Sequence, residues 1–427
     1  MGADSQNSTP NEGKMLCSTK VLHIAVEGVV PLKSSFYGRV GFLSLVHGLD
    51  HAFLMFSSPL FILILRDLGL DYAAVGALVS LAYFTYGIGA LPAGFLSDRF
   101  GHKWTITAAI ALASMGALVG SLPGSYGTLA VSFFLLGLGA SLYHPPAMSL
   151  LAHISTPENR GIAMGLHGVG SNLVMVAAPA LAGGIATLFH WRAAFLFWGL
   201  AGTAAAALFW RLFESTGSPE SADPSPLAGL APILQDRELV HTLLIIFLLS
   251  GIQGFIWSGT FAYIATYLQD VRGMTVAVSG ILAGVQYGVG ALGHLVGGYM
   301  ADRSSRVLPV LIGTTGALIG FGLILLPSPA ALLVGIFILG FSLFVKQPAM
   351  NTLLADAVPQ EVHGRLYGVF FIITNTVGAL APMFGGLIIG RFSFTAFFLL
   401  CSAIVLSAYP LILLMRSALR EASPRTP

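Results

Sequence analysis

Gly94-Phe95-Leu96-Ser97-Asp98-Arg99-Phe100-Gly101-His102-Lys103 ends one apolar run and opens the next, and Gly298-Tyr299-Met300-Ala301-Asp302-Arg303 repeats its first part about two hundred residues later. In both copies an Asp-Arg pair follows the apolar run directly, with a glycine one helical turn before the aspartate. A chain that repeats such a junction is built by duplicating one membrane unit. Transport, rather than catalysis, is the expectation that follows.

Composition agrees. The chain is 56% hydrophobic and 9% charged, against roughly 25% charged residues in an average soluble domain. A 427-residue globular protein needs a polar exterior that this composition does not supply, and lipid as solvent removes the need. The net charge of +2 gives no electrostatic footprint for a nucleic acid. Cys17 and Cys401 stand at opposite ends and suggest no disulfide framework. The first apolar run, Val21 to Leu32, contains His23 and Glu27 and no small-residue cleavage site, so no secretory signal is expected. The chain has no phosphate loop, no His-Glu-x-x-His pair and no soluble domain in which a water-free pocket could close. Neither an enzyme nor a cofactor is expected.

Stretches of about 20 apolar residues predict twelve spans. Six lie near 40–65, 73–97, 104–123, 127–151, 162–188 and 192–212; six more lie near 241–268, 275–301, 307–326, 330–354, 365–389 and 394–416. The predicted class is an all-α integral membrane protein with two pseudo-symmetric six-helix bundles. Residues 1–38 form a cytoplasmic N-terminal segment, disordered over Met1–Lys20 and with a short helix on the membrane surface over 21–37. The bundles occupy 39–213 and 239–417. A linker rich in Ser, Pro, Gly and Asp joins them over 214–238, and 418–427 is a cytoplasmic tail. Arg66, Arg192, Arg272 and Arg391 fall on one side, Lys346 falls inside a span, and every other Lys and Arg falls on the opposite side. The positive-inside rule therefore places both termini and both Asp-Arg junctions in the cytoplasm.

The repeat runs well past the junctions. Pro146-Ala147-Met148 returns as Pro348-Ala349-Met350, and Leu150-Leu151-Ala152 as Leu353-Leu354-Ala355. Asn172 pairs with Asn375, Ala178-Pro179 with Ala381-Pro382, and Gly183 with Gly386. One register held across Pro, Asn and Gly means that the two halves share a fold.

On these residues the chain resembles a major facilitator superfamily transporter over nearly its whole length. Gly94, Asp98, Arg99, Gly101 and Lys103 are similar to that superfamily's loop signature between its second and third helices, with His102 where an arginine is usual. Asp302 and Arg303 belong to the second copy, which lacks the trailing Gly and basic pair. Tyr143-His144-Pro145, with Gly165 and Gly168–Asn172, resembles the fosmidomycin-resistance type of efflux protein. The resemblance implies a central cavity between two rocking bundles, alternating access, and a monomer. It also brings Asp98 to the start of the eleventh helix, near Gly364 and Arg365, as a latch that closes the cytoplasmic side. The fourth-helix arginine signature is absent near Phe133, and the fifth-helix antiporter signature is partial, so efflux rests on analogy.

Polar residues inside the spans carry the site argument, because an ionisable group there costs about 2.5–3.5 kcal/mol even on the lenient insertion scale. Asp50, with His47 and His51 on the same helical face, has three competing readings. It is a proton carrier for coupling, a structural hydrogen-bonded or ion-paired group, or part of a divalent-metal site. No other His/Asp pair supports the metal, and none is expected. Lys346, aligned by the repeat with His144, has three readings as well: attracting a substrate anion, pairing with Asp50, or snorkelling from a packing site. Asn172 and Asn375 are interhelical hydrogen-bonders or substrate contacts. Gln253, Trp257, Gln286 and Tyr287 form a candidate polar and aromatic lining, and His167 and His294 are read as packing residues.

The expected activity is secondary active transport of a small molecule with protons: efflux of a drug-like or anionic compound first, uptake of an organic anion or chelated metal second. A non-transporting receptor or scaffold is the third possibility. The expected location is a membrane crossed many times, the cytoplasmic membrane if the cell is bacterial, with both termini in the cytoplasm.

Overall fold

The computed structural model describes residues 35–156, 159–214, 233, 235–358 and 362–421, with backbone alone at 364, 365 and 418–421. The polar segment 1–20, the surface helix up to residue 34, most of the linker and the end of the tail lie outside the described residues. Residues 35–37 do not continue a surface helix. Ser35 instead caps the first span, its side chain accepting from the Gly38 N–H at 3.3 Å.

Twelve helical spans are long and apolar enough to cross a membrane. Those of the first half are Phe36–Leu68, Tyr72–Phe100, His102–Ser121, Tyr126–Ile154, Arg160–Leu188 and Trp191–Leu212. Those of the second are Arg237–Asp270, Val276–Arg303, Val307–Leu325, Pro329–Ala357, Leu366–Arg391 and Phe394–Ser417. Polar side chains set several starts. Asp71, Asp236, Thr275, Ser328 and Ser393 each accept from a backbone N–H of the first turn, satisfying donors that a helix leaves open. The Asp236 cap starts the seventh span inside the stretch expected as linker.

Four spans are broken where continuous helices were expected. The first bends at Ser58–Leu60, the fourth at Leu142–Tyr143, the tenth at Lys346 and the twelfth at Ser407. Proline causes the repeated pair: Pro145 and Pro146 in one half and Pro348 in the other lack the N–H that would continue the ladder. His144 and Lys346 therefore sit at equivalent discontinuities.

Packing also repeats. The first span lies on the fifth, the second on the fourth, and the third on the fourth and sixth; the seventh lies on the eleventh, the eighth on the tenth, and the ninth on the tenth. Between halves, the second span packs on the eleventh and the fifth on the eighth. Each crossing is glycine against backbone. A β-carbon on Gly76 would collide with the Pro382 carbonyl, and one on Gly280 with the Pro179 carbonyl. Gly386 meets the Tyr72 carbonyl as Gly183 meets that of Val276. These contacts, with Tyr72 Oη donating to Asp270 Oδ2 at 2.8 Å and Gln269 to the Pro59 carbonyl at 2.8 Å, seal the end of the bundle that holds Asp67 and Asp270. At the Asp98 end, Gly94, Gly161, Gly165, Gly168 and Gly368 face open space. The halves touch at one end and part at the other.

Candidate functional site

A cavity of about 480 Å³ lies between the halves and opens toward the Asp98 end. The first half contributes His47, His51, Tyr86, His144 and Asn172; the second contributes Gln253, Trp257, His294, Gln347 and Asn375. Burying a polar group without a partner costs about 1–3 kcal/mol, so the hydrogen bonds of this wall show how it is built.

Asp50 is 5% exposed, and its Oδ2 lies 3.4 Å from His144 Nε2, within ion-pair reach; neither atom makes a hydrogen bond within the described residues. The break in the fourth span places His144 there, opposite the first span. His47 Nδ1 lies 3.3 Å from the His167 carbonyl. A carbonyl only accepts, so the His47 proton is on Nδ1 and its Nε2 is free to accept from His51 Nε2, 3.1 Å away. His167 stacks flat on His47, centroids 4.2 Å apart. Tyr143 Oη donates to the Leu43 carbonyl at 3.0 Å, tying the fourth span to the first.

The nearest ring nitrogens of His47, His51 and His144 lie within 4.8 Å of one another, a spacing from which a transition-metal ion could be held. The set already has partners: His47 and His51 share a hydrogen bond, and His144 faces the carboxylate at ion-pair distance. The donors fit a proton-sharing network better than a metal centre.

The other candidates divide. Asn172 and Asn375 reach the wall from repeat-related positions, Asn375 Nδ2 donating within its own helix to the Phe371 carbonyl at 2.8 Å. Gln253 and Trp257 line the cavity, the Gln253 amide donating to the Leu343 carbonyl at 2.7 Å. Gln286 and Tyr287, expected beside them, stand behind the wall; Gln286 is wholly buried, and Tyr287 stacks on Phe261 with centroids 4.1 Å apart. Lys346 is a larger correction. It is 5% exposed, it is not on the wall, and its stem passes Gly313 of the ninth span. The residue that faces Asp50 is His144, not Lys346, whose stem packs against the ninth span of its own half. His167 and Tyr143, one read as packing and the other noted only within a motif, belong to the cluster. Their sequence signal is the proline pair, which implies a bend beside Tyr143 and His144.

At the open end, Gly101 adopts φ +82° and joins the second and third spans without a linker. Asp98 and Asp302 are exposed. Arg99 lies over Phe100, Lys103 over Trp210 and Arg303 over Tyr299, at 5.5, 4.1 and 5.4 Å. His102 is buried, its Nε2 2.7 Å from Ser149 Oγ. The Arg365 side chain expected to meet Asp98 lies outside the described residues.

The model of the Major Facilitator Superfamily matches residues 40–382. Among curated proteins, the chain is 23% identical to the hexuronate transporter of Bacillus subtilis (strain 168), over 85% of this chain and 90% of that protein. It is 25% identical to the gallate transporter of Pseudomonas putida, over 81% and 82%. It is 22% identical to the fosmidomycin resistance protein of Escherichia coli (strain K12), over 86% and 90%, the type that the Tyr143-His144-Pro145 stretch resembles. Among solved structures, a bacterial homologue of the human lysosomal transporter Spinster, inward-facing and occupied, superposes with a TM-score of 0.79 at 16% identity, covering 93% of this chain and 100% of that one. With the repeated spans, the seal at one end and the cavity open at the other, these findings agree: the chain belongs to the Major Facilitator Superfamily and is a multi-pass membrane transporter of small molecules.

Proposed function

We propose that the protein carries a small organic anion into the cell by alternating access, together with protons. The observation that carries this reading is the buried Asp50–His144 pair beside a cavity that both halves line. A carboxylate held out of water beside an imidazole can take a proton on one side of the membrane and release it on the other as the cavity changes sides. Two relatives are named for hexuronate and gallate, both carboxylates at neutral pH. A site in this chain for such a molecule would use Asn172, Asn375, Gln253 and Trp257 beside the histidines. The distribution of Lys and Arg supports cytoplasmic termini in the cytoplasmic membrane, with the open cavity facing inward and one chain acting as a monomer.

Efflux of a drug-like compound is the second reading, favoured by the likeness to the fosmidomycin resistance protein. Flux in proteoliposomes with an imposed pH gradient separates the two. Accumulation of hexuronates or hydroxybenzoates driven by an acidic outside, with uncharged analogues left behind, is the expected result. Accumulation of fosmidomycin alone, driven in inverted vesicles, would replace uptake by efflux. No flux of either class would leave a receptor or scaffold.

A further inference from the structure

An anion that leaves water must meet positive charge or a dense set of donors, because an unpaired buried charge is costly. Carboxylate sites commonly answer with arginine. The described wall of this cavity carries no lysine or arginine. Lys346 is turned to the ninth span, and Arg99 and Arg303 lie at the cytoplasmic ends of their helices. Imidazole is what the wall offers instead: His47, His51 and His144 on one side and His294 on the other.

These histidines are not equivalent. His47 is committed at both nitrogens, to the His167 carbonyl and to His51. His294 Nε2 is engaged with Gln347 Oε1 at 2.9 Å. His51 and His144 each turn Nε2 to a neighbour, His47 and Asp50, and keep Nδ1; unlike His294 across the cavity they stand as a pair, with ring centroids 5.1 Å apart and both rings on the cavity. That separation lets one carboxylate reach a nitrogen of each ring.

We propose that the carboxylate of the substrate binds across His51 and His144, and that the positive charge holding it is a proton that crosses with it. The proposal rests on the organic-anion reading above and supplies its site. The groups facing the pair are Asp50 and His47 on the first span, Tyr86 on the second, Tyr143 on the fourth and His167 on the fifth; Phe371 of the eleventh touches His144 and brings no charge. No fixed cation is among them. Charge balance then sets the count. A first proton neutralises Asp50, and a second makes an imidazolium. Only with both does a monoanion find net positive charge. Two protons and one monoanion therefore move together, carrying one net positive charge inward.

The test uses the full chain in nanodiscs and in proteoliposomes, with D-galacturonate and 4-hydroxybenzoate as probes. Calorimetry between about pH 6 and about pH 8 should show affinity falling by about tenfold per pH unit for each linked proton. His51→Gln should lose the anion at both ends of that range. His51→Lys, with a charge that does not depend on the transported proton, should hold it across the range with a flattened pH dependence, which also shows that the variant folds. Flux should speed up when valinomycin and potassium set an inside-negative potential. Affinity independent of pH in the wild type, or flux indifferent to potential, overturns the proposal while leaving organic-anion transport standing. Loss of binding on chelation and its return with Zn²⁺ also overturns it, by making the cluster a metal site. Binding and movement of neither probe at any pH overturns the organic-anion reading and the proposal together.

Discussion

Two pairs of repeat-related positions behave in opposite ways. Gly76 against Pro382 and Gly280 against Pro179 are the same contact made twice, glycine on a proline carbonyl, once at each crossing between the halves. His144 and Lys346 share an equally matched position, the break in the fourth and the tenth span, yet one meets Asp50 on the cavity and the other is buried against the ninth span. Duplication preserved the crossings at which the halves meet. It did not preserve the chemistry of the wall. The histidine and carboxylate cluster belongs to the first half, and the second half faces it mainly with amides and aromatics, with His294 and Tyr367 as titratable rings on the described wall.

The largest test of that asymmetry is Asp50→Asn. Gradient-driven accumulation should fall to the level of empty vesicles while exchange of labelled for unlabelled substrate continues, because asparagine keeps the volume but cannot carry a proton. Accumulation that still follows the pH gradient would remove Asp50 from coupling. Next, Gly76→Val and Gly280→Val should each strain the sealed end by about 1–3 kcal/mol, shifting the population toward the outward-open form by about 5- to 150-fold. Single cysteines at the two cavity mouths, in a chain with Cys17 and Cys401 replaced, would report equal shifts for the two variants. Unequal shifts would break the equivalence of the crossings.

Smaller effects test the two ends against each other. Tyr72→Phe removes the bond to Asp270 at the sealed end, worth about 0.5–1.5 kcal/mol, and should raise outer labelling about two- to tenfold. Asp98→Asn should act in the opposite direction. Under the latch that the resemblance implies, Asp98 meets the start of the eleventh helix when that end closes; its loss then costs the outward-open form about 0.3–1 kcal/mol, so inner labelling rises about two- to fivefold. Labelling unchanged on both sides would discard the Asp98 latch. The smallest effect is expected at Lys346. Lys346→Gln should leave the half-saturating anion concentration within about twofold, about 0.4 kcal/mol. A tenfold loss specific to anions would return the lysine to the substrate and erase the contrast with His144.

Much of the architecture was legible because its causes are local. A run of apolar residues long enough to span lipid is written in consecutive positions, and so are the repeat register and the Asp-Arg junctions. The broken spans were less so. Pro145, Pro146 and Pro348 were visible, but the direction in which a helix leaves a bend depends on its neighbours. The spans are apolar nearly all round, so no polar stripe shows which face turns inward. For that reason Gln286 and Tyr287 looked equivalent to Gln253 and Trp257, although only the latter pair lines the cavity.

By itself the sequence determined the membrane class, the twelve spans, the duplication and the residues able to carry charge through lipid, because each depends on composition or on spacing along one helix. The tertiary structure decided which of those residues meet. It brought His144 across to Asp50, set His167 on His47, turned Lys346 from the cavity and closed the Asp270 end. Those outcomes depend on how whole helices rotate and cross, and that is fixed by glycine and proline contacts between segments far apart in the chain.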